Sequence, residues 1–130
     1  VPGVGDNLLI KSRDAEVAIT PYSILIYGTA DNQVVLGAAQ NIALAGFSDD
    51  LGQPTIDGRV DVIKPFGLPY VELGEVVTIG AELICDADGH AIPLASGVAG
   101  LATIIGTAEE AGEIGAAIKI LPGVYKTLIA

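Results

Sequence analysis

The sequence predicts an all-β chain, mainly strand, folded as a compact barrel or sandwich with an extended N-terminal arm and little helix. Three observations carry this. Most of the 51% hydrophobic share is Ala, Val, Ile and Leu, aromatics are only 5%, and Met and Trp are absent; small branched side chains suit closely spaced strands. Seventeen Gly and seven Pro supply the corners of such a domain. The apolar runs are short, several alternate with polar residues, and turn residues separate them.

At 130 residues the chain has the length of one domain, which buries about two thirds of its unfolded surface. A mean hydropathy of +0.59 provides apolar surface to offset the entropy of ordering and excludes a disordered acidic tail.

Taken in order, the first twenty residues read as an arm that lies on a neighbour, with residues 21–130 as a single β-rich domain. An edge strand of that domain is the equal alternative for the arm. Val1-Pro2-Gly3-Val4-Gly5 is a flexible opening with one copy of an elastin-like pentapeptide, and Asn7 to Ile10 adds the apolar Leu8, Leu9 and Ile10. Ala18 to Tyr27 is β-branched and aromatic, so a strand is expected after Pro21, then a turn over Gly28 to Asn32. Gln33 to Gly46 allows either a helix or a strand; a strand over Val34 to Ala39 is favoured.

Phe47 to Asp57, rich in Ser, Asp, Gly and Pro, is expected as an exposed loop. Arg59 to Lys64 alternates, placing Val60 and Val62 on one face of a half-buried strand. Pro65 to Pro69 breaks it, and a turn at Leu73 to Glu75 precedes a strand resuming at Val76. From Ile79 to Cys85 the odd positions share one face, which makes Cys85 a buried small hydrophobe. Asp86-Ala87-Asp88-Gly89 suits a turn closed by a left-handed glycine, after which Ile92 and Leu94 rejoin the buried face. Leu101 to Gly106 is apolar, Thr107 to Glu113 is an acidic loop, and Ile114, Ala116, Ile118 and Ile120 face inward on a last strand ending at Leu121. Pro122 to Ala130 is a tail packing through Val124, Tyr125 and Leu128. Leu36 to Asn41 faintly echoes Ile105 to Glu110, a weak sign of a duplicated unit.

Sixteen acidic against six basic residues give a formal net charge of −10 and a pI near 4.1. Such a surface lacks the cations that displace counterions from phosphates, so no nucleic-acid partner is expected. The long charge-free run Gly89 to Ala108 is broken by Pro93 and by Gly97, Gly100 and Gly106, so no membrane partner is expected either. One cysteine, Cys85, excludes an intrachain disulfide and makes intracellular assembly the simplest expectation. The N-terminus has no basic region followed by an apolar one, so no secretory signal is expected.

No catalytic, cofactor-binding or metal-ligating residue is expected. Asp86 and Asp88 before Gly89 match part of a calcium loop, whose remaining ligands are missing. His90 is the single histidine, and with Cys85 it falls short of a zinc set. Ser12, Ser23, Ser48 and Ser96 lack the sharp-turn context of a nucleophile, and no phosphate-binding glycine loop is present.

The order of features from Val34 to Leu121 resembles the small capsid cement, or head decoration, proteins of tailed bacteriophages. The carrying residues are Gly37 and its neighbours, Arg59 to Lys64, and above all the Ile79 to Leu94 hairpin with its Asp86-Ala87-Asp88-Gly89 turn. Ile105-Gly106-Thr107-Ala108, the acidic Glu109 to Glu113 and the strand to Leu121 resemble the family's ending, while Phe47 to Tyr70 departs from it. The resemblance implies a compact β-barrel or β-tulip-like sandwich and a homotrimer at three-fold or quasi-three-fold positions. It implies the major capsid protein as partner and a place on the outer capsid surface of the virion, after synthesis in the host cytoplasm. The interface expected with capsid or sister subunits comprises Pro2, Val4, Leu8, Leu9, Ile10, Phe66 and Tyr70. The rival readings are a tail or baseplate module of a phage particle and a small trimeric β enzyme such as a nucleotide hydrolase.

Overall fold

The computed structural model describes residues 9–130; Pro2, Val4 and Leu8 of the expected interface lie outside the described residues. Five strands, β1 (Ile10–Ala15), β2 (Ile24–Tyr27), β3 (Gln33–Leu36), β4 (Leu44–Ser48) and β5 (Arg59–Ile63), close into a barrel in the order β1-β3-β2-β4-β5. The β1–β3 pair is parallel and the others are antiparallel. The remaining strands are β6 (Tyr70–Glu72), β7 (Glu82–Cys85), β8 (Ala91–Pro93), β9 (Gly100–Ala108) and β10 (Ala117–Ile129). They form a sheet in the order β6-β10-β9-β7-β8. Among the described residues one short 3-10 turn, Leu94–Ser96, is the helical content, in line with the predicted all-β class.

Alternation along the strands builds three apolar layers. Ala15, Leu25, Val34, Ala45, Val60 and Val62 fill the barrel. Ile24 and Phe47, on the opposite faces of β2 and β4, pack with Val71, Leu83, Cys85, Ile105, Ile118 and Ile120, so the barrel wall and the sheet share one core. Ile84, Ala102 and Ile104 form a third cluster on the sheet's other face, covered by Ile92, Leu94 and Ile129. Both faces of β7 are therefore buried, and the hairpin register opposes Ile84 to Ile92 and Cys85 to Ala91. Ile92 and Leu94 join the face of Ile84, and Ala91 takes the place beside Cys85 that was expected of them.

Several local expectations are corrected. Residues 10–15, placed in the arm with an edge strand as the alternative, pair with both β3 and β5 and close the barrel. The strand favoured over a helix after Gln33 is present, but it spans Gln33–Leu36 and stops short of Ala39. Phe47 and Ser48, expected in an exposed loop, are fully buried in β4. Ser48 is tolerated there because its hydroxyl donates to the Thr20 carbonyl and accepts from the Ser23 N–H. Val76 to Gly80 makes a single bridge at Val77 in place of a strand. Ile114 is exposed rather than inward-facing, since β10 begins only at Ala117. Of the expected tail Pro122 to Ala130, all but the last residue is the second half of β10, paired with β9 except for a bulge between Pro122 and Tyr125. A proline fits at a bulge because the ladder is already interrupted there.

The segments 73–81 and 108–116 interlock with a local two-fold correspondence. Val77 and Gly112 exchange both backbone hydrogen bonds at 3.0 Å, Gly80 N–H donates to Ala108 O (2.8 Å), and Gly115 N–H donates to Leu73 O (2.9 Å). Leu73 N–H to Ala116 O and Ala108 N–H to Ala81 O, both 2.9 Å, complete the set. Gly80 and Gly115 both have φ +86°, and Ile79 and Ile114 before them are both 69% exposed. This pair, marked by Ile-Gly-Ala at 79–81 and 114–116, replaces the echo read at Leu36 to Asn41 and Ile105 to Glu110. Those stretches hold unlike places, Gly37 after the end of β3 and Gly106 inside β9.

Candidate docking surface

All six basic residues, Lys11, Arg13, Arg59, Lys64, Lys119 and Lys126, sit on β1, at β5 and its end, or on β10. At one end of the barrel Arg13 and Lys64 converge on Tyr27. Arg13 stands opposite the buried Val60, and residues opposite one another in an antiparallel pair share a face. Its guanidinium lies 5.5 Å from the Tyr27 ring centroid, and its Nε is buried without a hydrogen-bond partner. Lys64 Nζ lies 5.2 Å from the same centroid, and donates to the Ala45 carbonyl (2.8 Å) and to Tyr27 Oη (3.3 Å). Two cations over one ring hold the tyrosine in place and keep positive charge at this rim of an acidic protein. Arg59 is instead paired with Asp14 at 2.8 Å, an exposed contact of small energetic weight.

Around this rim stand three of the expected interface residues. Leu9 O accepts the Lys64 N–H at 2.7 Å, Ile10 pairs with Ile63, and Phe66 N–H donates to Lys64 O. Leu9, Ile10 and Phe66 are all exposed, Phe66 by 59%. Tyr70 lies apart from them on β6, opposite Lys119, with its ring 5.8 Å from Tyr22 and under the Lys119 ammonium. Lys11, Arg13, Lys64 and Tyr27 were not among the residues expected at an interface. The available signal is that basic residues, sparse elsewhere, recur within the two segments 11–13 and 59–64.

The hairpin turn has a structural role. Asp86 Oδ1 accepts the N–H groups of Asp88 (2.8 Å) and His90 (2.9 Å), while Gly89, at φ +79°, offers its carbonyl to the Ile24 N–H at 2.7 Å. The turn thus fastens the sheet to β2 of the barrel. His90 Nε2 stands 3.1 Å from Glu72 Oε2, and Nδ1 4.0 Å from Asp86 Oδ2. Among the described residues no group of three or more His, Cys, Asp or Glu side chains is assembled to hold a metal ion. Cys85 is buried, and burial first, then the neighbouring Asp86 charge, pushes its thiol up to about 12. Its Sγ donates to the Asp86 carbonyl at 3.2 Å, so it behaves as a packing group. Beside it an open cleft of about 430 Å³ runs between Ala38–Gln40 and the hairpin, lined largely by apolar side chains.

No protein-family model and no curated protein matches the chain. Among solved structures, the fold is similar to that of the head fiber gp8.5 N base in bacteriophage phi29. The TM-score is 0.63 at 18% sequence identity, over 89% of this chain and 94% of that one. At this identity the likeness concerns architecture: both chains share one all-β arrangement along nearly their whole length.

Proposed function

We propose that this chain is a structural, non-catalytic virion protein that decorates the outer surface of a phage head. In this reading it bridges subunits of the major capsid protein as a homotrimer at three-fold or quasi-three-fold positions. The observation that carries the proposal is the near-complete overlap in fold with the base of a phage head fiber. The acidic surface supports an outer position, away from packaged nucleic acid. Many copies, each gripping several subunits, strengthen a shell by multivalency even when single contacts are modest.

Docking runs through the barrel rim, where exposed Leu9, Ile10 and Phe66 surround Lys64 and Arg13. Aromatic residues and arginine are enriched at the cores of protein interfaces, and Phe66 and Arg13 at this rim supply both. The test is to mix purified protein with undecorated capsids and image them by electron microscopy. Density at three-fold positions is expected, with Phe66→Glu lowering occupancy at least about tenfold at limiting protein. Protein that stays free, or that locates to the tail, overturns the proposal.

A further inference from the structure

Among the described residues, the sheet has a long open edge along β10. β6 pairs only with Ala117 to Lys119 of β10, whereas β9 covers the other side of β10 as far as Ile129. From Leu121 to Ile129 the outer edge of β10 therefore has no strand partner among the described residues. Edge strands are usually guarded by charge, proline or a bulge. Here Pro122 and the bulge guard the first part, and Tyr125 to Ile129 then runs in regular register with β9. Four apolar side chains of this edge point outward or stand clear: Leu121, Val124 and Tyr125 are exposed, and Leu128, 74% exposed, stands opposite exposed Leu101 of β9.

Charge separates this strip from the rest of the molecule. All sixteen carboxylate side chains precede Ile114, and Ile114 to Ala130 carries two lysines and no acid. Two copies of a chain with net charge −10 repel over most approaches. Beside the barrel rim, the β10 strip is a second exposed stretch where that repulsion is relieved, because Leu121 to Ile129 carries one cation, Lys126, and no acid to set against an acidic neighbour. The same sign on two such strips disfavours a two-fold edge-to-edge pair, and favours a head-to-tail contact in which one patch meets a different one. A head-to-tail contact with a closing rotation is what generates a ring.

We infer that the β10 strip, Leu121 to Ile129 with Leu101 beside it, is the surface on which a second copy of this chain seats. This rests on the homotrimer reading above and names its contact. The test is native mass spectrometry and sedimentation of the full chain up to about 100 µM, with hydrogen exchange followed over 121–129. Wild type is expected to associate, and exchange in 121–129 to slow as concentration rises. Leu128→Glu and, from the neighbouring strand, Leu101→Glu should each weaken association at least about tenfold. Leu51→Glu, on an exposed loop, should leave it unchanged, and circular dichroism checks that each variant folds.

A wild type that stays monomeric overturns the inference, as does association that survives both β10-side variants. Protection that is independent of concentration and vanishes when residues 1–8 are deleted assigns the edge to the chain's own N-terminus, and also overturns it. Protection arising only on addition of capsids assigns the edge to the capsid and overturns it likewise. Failure of wild type to occupy capsids, with solution association intact, counts against the decoration reading alone.

Discussion

Replacing Gly37 with alanine probes the joint between barrel and sheet directly. Gly37 follows β3, and its N–H donates to the Ile24 carbonyl at 2.8 Å, so its backbone is fixed. A Cβ built there falls 2.6 Å from Cys85 Sγ and 3.4 Å from Ile24 Cγ2. The first contact is roughly 1 Å inside the optimum for non-bonded heavy atoms. Cys85 cannot yield freely, being fully packed and tied to the Asp86 carbonyl. Overpacking of this kind costs about 1–3 kcal/mol, against which the lower unfolded-state entropy of alanine returns somewhat less than about 1 kcal/mol. A net loss of about 1–2 kcal/mol is expected, read as a urea midpoint shift at constant slope, or about 4 °C in Tm per kcal/mol. The same substitution in a Cys85→Ala background should be neutral or stabilising, because the obstructing sulfur is gone. Contacting residues couple in such cycles by about 0.5–3 kcal/mol. An equal cost in both backgrounds would refute the steric reasoning.

Three further outcomes are expected. Because burial holds the Cys85 thiol protonated up to about 12, the folded chain keeps a proton that the unfolded chain releases from about pH 9 upward. This contribution to stability is complete below about pH 9 and falls by about 1 kcal/mol per pH unit above it; comparison with Cys85→Ala in denaturant titrations isolates it. Asp86→Ala removes the acceptor for two N–H groups and should cost about 1–3 kcal/mol, whereas Asp86→Asn retains the acceptor and costs less; calorimetry with and without calcium should show no metal-dependent shift in wild type or either variant. Lys126→Met deletes the donor to Asn41 Oδ1 (2.6 Å), Thr103 Oγ1 (2.8 Å) and the Ile42 carbonyl (3.1 Å), and a loss of about 1–2 kcal/mol in thermal or urea unfolding is expected.

Legibility followed the range of the interactions involved. The strand after Pro21, the Arg59 to Lys64 strand and the Asp86 to Gly89 hairpin were readable because periodicity and turn chemistry act over a few residues. β1 was not separable from an arm, since its partners β3 and β5 lie far along the chain. β4 was hidden by Gly46 and Ser48, whose place depends on distant groups: the Ser48 hydroxyl is satisfied by Thr20 and Ser23. The second half of β10 was misread because Pro122 and Gly123 signal an ending, and only the bulge against β9 lets the strand continue. Of the expected interface, Leu9, Ile10, Phe66 and Tyr70 are exposed on the structure. The cations that accompany three of them were invisible because Arg13 and Lys64 meet at Tyr27 only once the barrel closes.

The interlocked segments 73–81 and 108–116 have a consequence for how the protein comes apart. Each supplies three N–H donors to carbonyls of the other, so opening either one frees the partners of both. Their joining closes a loop of some thirty residues, an entropic debt settled only when both are already in place. A clasp closing so long a loop is expected to form late, so weakening it should raise the unfolding rate more than it slows folding, as stopped-flow chevrons would read. For a protein whose proposed task is to hold a shell together, resistance to opening over time counts for more than depth of the equilibrium well.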